Sequence, residues 1–95
     1  MTSQDKKFLL TKVNEIGNIL GGRLKIRSVI DKGFTFIPDN TSVPDAFCIL
    51  QNTELKYHTM RLCDNNKGRY WIEITFSDVP YQITEYWNGK KFIRV

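Results

Sequence analysis

The residues able to do chemistry are few and scattered. His58 is the only histidine among 95 residues. In the strand register argued below it falls opposite Glu73, and a histidine held by a carboxylate can act as an oriented general base. No nucleophile is fixed beside this pair. The same two residues also make an ordinary cross-strand contact worth about 0.2–1 kcal/mol. Cys48 and Cys63 are the two cysteines. Neither follows a helix-initiating segment that would lower a thiol pKa, so both read as packed core thiols. One histidine with two separated cysteines matches no zinc spacing. Asp64-Asn65-Asn66-Lys67-Gly68 lacks the alternating acids and closing glutamate of a calcium loop and reads as a turn. No phosphate-cradling glycine pattern occurs, because Gly21-Gly22 follows a helix instead of opening one. The residues point away from an enzyme and call for no metal and no cofactor.

Binding chemistry is better represented. Met60, Trp71 and Leu62, framed by Lys56 and Arg69, form the expected partner-binding surface, since a large apolar group on a solvent-facing sheet often marks a contact site. The alternative is a single-stranded nucleic-acid surface. Lys67-Gly68-Arg69-Tyr70-Trp71-Ile72 mixes a basic residue, a glycine and strand aromatics in the manner of sheet surfaces that stack on bases. Lys25, Arg27, Arg69, Trp71, Lys90 and Lys91 would line it. The RNA-recognition fold needs two crossover helices, which the pattern lacks, so an open barrel would have to carry that surface. A third reading is a small-ligand pocket between helix and sheet, lined by Tyr57, Tyr70 and Tyr81.

These residues need elements to position them. Leu9, Val13, Ile16 and Leu20 recur at helical spacing, with Phe8 and Ile19 widening the stripe. Thr2 or Ser3 caps the start, Asp5 suits the first turn, and Gly21-Gly22 stops the helix. The spacing predicts a helix over about 4–20. From Arg23 onward the period falls to two. Strands are expected over about 23–30, 34–37, 45–51, 54–63, 69–77, 80–87 and 90–95, with 38–44 as a loop. In the first of them Leu24, Ile26 and Ile30 share the core face.

Two hairpins fix the expected register. A four-residue loop from Asp64 to Lys67 sets Leu55 and Tyr57 opposite Phe76 and Ile74 on the core side. It sets Met60 against Trp71 and His58 against Glu73 on the other side. Tyr81, Ile83 and Trp87 would continue the core face beside Phe76, Ile74 and Tyr70. Asn88-Gly89 closes the last hairpin, with either a two-residue loop or a three-residue loop carrying a glycine bulge.

The length supports one domain over 1–95. The chain is 41% hydrophobic, 25% charged and 13% aromatic, which argues against general disorder and favours strands. The expected fold is α+β, one N-terminal amphipathic helix packed on a curved antiparallel β-meander of six or seven strands. The net charge of +4 is mild, and nucleic-acid binders usually concentrate more on one face. The N-terminal segment lacks the apolar run of a secretory signal, no apolar run reaches ~18 residues, and reduced thiols suit a cytoplasmic protein. Residues with A/T-rich codons are abundant, as in bacterial or phage genes. The sequence therefore leads to a small non-enzymatic binding or inhibitor-type accessory module acting by protein–protein contact, or by self-association.

Overall fold

An apolar stripe on an amphipathic helix must find a partner surface, and this chain supplies a second helix and a sheet for the purpose. The computed structural model describes residues 3–54, 58–78, 85–87 and 91–94. In chain order the elements are α1 (Ser3–Leu20), β1 (Leu24–Ile30), β2 (Gly33–Pro38), α2 (Val43–Gln51), β3 (His58–Asp64), β4 (Tyr70–Phe76), β5 (Glu85–Trp87) and β6 (Phe92–Arg94). The helix expected from the first heptads is there, and Gly21 ends it at φ 75°, a left-handed turn that glycine adopts without strain.

The rest of the expected architecture is corrected. The described residues form two helices and a four-stranded antiparallel sheet ordered β1-β2-β4-β3, beside a separate two-stranded β5–β6 ladder. A six- or seven-stranded meander on a single helix is ruled out by this order. The segment 45–51, expected as a strand, is helix α2, and the 38–44 loop is shorter than expected. The reason is local. The Ser42 hydroxyl accepts the Asp45 backbone N–H at 3.2 Å, and Pro44 sits in the first turn, where a missing N–H is harmless. Val43, Ala46, Phe47 and Leu50 then repeat at helical spacing and turn toward the core.

Helix α2 changes the topology. It carries the chain from β2 across to β3, and β4 returns to fill the place between them. Central positions go to β2 and β4, whose Phe34, Phe36, Ile72 and Ile74 are fully buried beneath Ile16 of α1 and Ala46 and Leu50 of α2. Burying each such large side chain contributes about 1.5–3 kcal/mol. Lys12 fastens the helix layer to the sheet end, with its ammonium 3.1 Å from Asp78 and 4.7 Å from the centre of the Phe76 ring. A bulge in β1 between Ile26 and Ser28 shifts the alternation, so Val29 takes the core position expected for Ile30.

The β3–β4 register also differs. Asp64 pairs with Tyr70, so five residues connect the strands instead of four. Asn66 at φ 61° and Gly68 at φ 83° make the longer turn possible, with Asn65 Oδ1 accepting the N–H groups of Lys67 and Arg69. An odd loop reverses face parity. Met60 pairs with Ile74 and Leu62 with Ile72, while His58 faces Phe76 and Glu73 faces Arg61. Leu55 and Tyr57 lie outside the described residues. Strand β5 packs near β1, not beside β4, and Trp87 pairs with Phe92. Both expected forms of the last hairpin are thereby replaced by a longer connection. Tyr81 and Ile83 lie outside the described residues.

Candidate functional site

The expected partner surface is divided between two faces of the sheet. Even-numbered residues of β3 share a face with Ile72 and Ile74, so Met60 and Leu62 lie on the helix side. Met60 is half-buried against the core, whereas Leu62 is 41% exposed beyond the helices. Trp71, opposite Cys63, lies on the face away from the helices. Arg69 is exposed in the β3–β4 turn, and Lys56 lies outside the described residues. Met60 and Trp71 are therefore not one contact surface. The His58–Glu73 pair is separated by the same register.

The face away from the helices is organised around Trp71, and Thr35 on it is buried. The bulge aims Arg27 across β2, and its guanidinium carbon sits 3.8 Å from the centre of the indole ring. That stacking occupies one face of the half-buried ring. Lys25 shares this side of the sheet through its pairing with Ile37. The positive charges there are mixed with Glu73, whose carboxylate accepts a 2.9 Å hydrogen bond from Arg61. This hydrogen bond, followed by the Glu73 charge, raises the Arg61 pKa above its ordinary value. Ser28 and Thr35 exchange a 2.6 Å hydroxyl contact, and Thr59 and Thr75 meet likewise. Lys91 is exposed, and Lys90 lies outside the described residues.

The thiols differ from expectation. Cys48 is exposed on α2 and Cys63 half-buried on β3, both free. Among the described residues no three of His, Cys, Asp and Glu converge as metal ligands. Tyr70, the described member of the expected tyrosine pocket, is 45% exposed at the rim of the sheet. It borders an open cleft with Lys25, Ile37, Pro44 and Arg69 instead of an enclosed cavity. Tyr57 and Tyr81 lie outside the described residues. No described helix is long and apolar enough to cross a membrane.

One feature escaped the sequence reading, and it lies in the backbone. Beyond the Asp64–Tyr70 pair, the Asn65 N–H donates to the Arg69 carbonyl at 3.2 Å. Hydrogen-bonded pairs alternate in an antiparallel ladder. Thr59, Arg61 and Cys63 therefore turn their N–H and C=O groups toward β4, and Met60 and Leu62 turn theirs away. The far side of β4 agrees. Phe76 N–H donates to the Lys32 carbonyl at 2.7 Å, next to the Gly33–Thr75 pair, which assigns even-numbered β4 residues to β2 and odd ones to β3. Strand β3 thus ends the sheet, and its outward backbone groups lie on the side where no described strand pairs. An amphipathic reading of 43–50 would have signalled this, since a crossover helix displaces β3 to the edge. No family model matches the chain, and no curated protein or solved structure matches it either.

Proposed function

We propose that this chain is a non-enzymatic binding module that recognises another polypeptide by adding a strand to the outer edge of β3. The observation that carries the reading is the seven-residue edge itself, paired with β4 alone among the described strands, with Met60 and Leu62 presenting backbone groups outward. Main-chain bonds to an added strand supply affinity that is largely independent of sequence, and flanking side chains supply selectivity. Here the flank is apolar on the helix side, through Met60 and the exposed Leu62, and polar on the other, through Thr59 and Arg61. An extended partner with alternating apolar and polar residues fits that edge. Exposed strand edges are usually blunted by charge, and Arg61 and Asp64 are the charges that restrict which strands fit here.

Random heptapeptides displayed on phage and selected against the chain test the reading. Selected peptides should alternate in polarity and protect the Met60 and Leu62 amides from hydrogen exchange. Binders that leave both amides exchanging freely would refute strand addition at this edge.

A further inference from the structure

The β3 sequence, read against itself in reverse, is complementary. We infer that the strand docking on this edge is β3 of a second copy, in a two-fold antiparallel register centred on Arg61. The inference rests on the strand-addition reading of the same edge. Only residues with outward backbone groups can exchange hydrogen bonds across a new ladder, so the register must pair even-numbered residues with even-numbered ones. Centring on Arg61 satisfies this rule and engages all seven residues of His58–Asp64.

The side chains then sort by chemistry. Met60 meets Leu62 of the second copy, twice, on the helix side, and the exposed Leu62 surface is covered. Thr59 stands opposite Cys63. At the centre Arg61 faces its own counterpart, a like-charge contact that would oppose pairing. Each Arg61 already holds Glu73 at 2.9 Å, so the axis carries two neutralised pairs in place of two bare cations. Registers displaced by two residues either way put Met60 against itself or Leu62 against itself and leave two residues of each strand unpaired. The result is one continuous eight-stranded sheet from two four-stranded ones. The contact is small, so the dimer is expected to be weak and reversible.

The thiol at Cys63 makes the register testable. Thr59 and Cys63 of the same strand are separated by about 13 Å, too far for a bond between them. Across the dimer they would form a close, non-hydrogen-bonded pair suited to a disulfide. The double variant Thr59→Cys, Cys48→Ser should therefore oxidise to a covalent dimer whose peptide map joins position 59 of one copy to Cys63 of the other. Sedimentation equilibrium of the unaltered chain should show a reversible dimer. Leu62→Lys should raise its dissociation constant about tenfold while leaving far-UV circular dichroism unchanged. A monomer up to ~500 µM, or a dimer without the 59–63 linkage, overturns the self-pairing. Strand addition as such fails separately, if displayed peptides leave the Met60 and Leu62 amides unprotected.

Discussion

Gly33→Ala probes the contact that makes β3 an edge. Gly33 opens β2 and pairs with Thr75 of β4. A Cβ there would stand 2.0 Å from the Ile74 carbonyl oxygen and 2.8 Å from Thr75 Cα. Ordinary contact begins near 3.4 Å, so the strands would have to part by about 1.4 Å. Both obstacles are backbone, and neither can swing aside as a side chain would. Parting the strands strains the adjacent Phe34–Ile74 pair, whose two backbone bonds are worth ~1 kcal/mol each. It also shifts two fully buried side chains, an overpacking cost of about 1–3 kcal/mol. Together these give a loss of ~3–5 kcal/mol, a large share of the ~5–15 kcal/mol expected for a small domain. The lower figure corresponds to a fall in Tm of roughly 12–24 °C. Urea unfolding followed by far-UV circular dichroism measures it. Gly68→Ala is the control, because its Cβ would meet nothing within 4 Å and only φ 83° opposes the change, at about 1–2 kcal/mol. A Gly33→Ala loss no larger than that of Gly68→Ala would show that β2 and β4 are not neighbours, and the edge status of β3 would fall with them.

Other outcomes follow from the same geometry. Ser42→Ala removes the cap on the Asp45 N–H and should cost ~1 kcal/mol in urea unfolding, whereas a strand over 45–51 would make it neutral. Trp71→Ala should lower stability through loss of the Arg27 stacking, worth ~0.5–1 kcal/mol, plus lost packing. It should leave the affinity of β3-binding peptides within twofold, and a tenfold loss would move the site to the face that carries Trp71. In a mobility-shift titration with single-stranded oligonucleotides at low and physiological salt, no retention is expected. Tight, steeply salt-dependent binding would favour the basic residues around Trp71 instead. Cys48 should react with a thiol reagent several-fold faster than Cys63, and the reverse order would place Cys48 in the interior.

What could be read in advance depended on whether the signal was local. The α1 stripe and its glycine stop are written within one segment, and so are the alternations of Gly33–Pro38 and Tyr70–Phe76. The helix α2 was local too, in Ser42-Val43-Pro44-Asp45 and the spacing of Val43, Ala46, Phe47 and Leu50. Pro38, Pro44 and the short apolar run that follows fit a loop and a buried strand equally well, because periodicity over nine residues does not separate a helix from a strand. The site was harder to see. Whether Met60 shares a face with Trp71 turns on one residue of loop length, and that is decided by the backbone of Asn66 and Gly68. The stacking of Arg27 on Trp71 spans an intervening strand and a bulge, and no pairwise spacing in the sequence announces it. The edge itself is a property of strand order, which exists only once α2 has carried the chain past the place β4 occupies.

Hydrogen exchange by NMR on the dilute chain tests the central claim most directly. The account predicts protection at Thr59, Arg61 and Cys63, with rapid exchange at Met60 and Leu62. Protection at Met60 and Leu62 without a partner, or rapid exchange at the three odd-numbered amides, would contradict an open β3 edge.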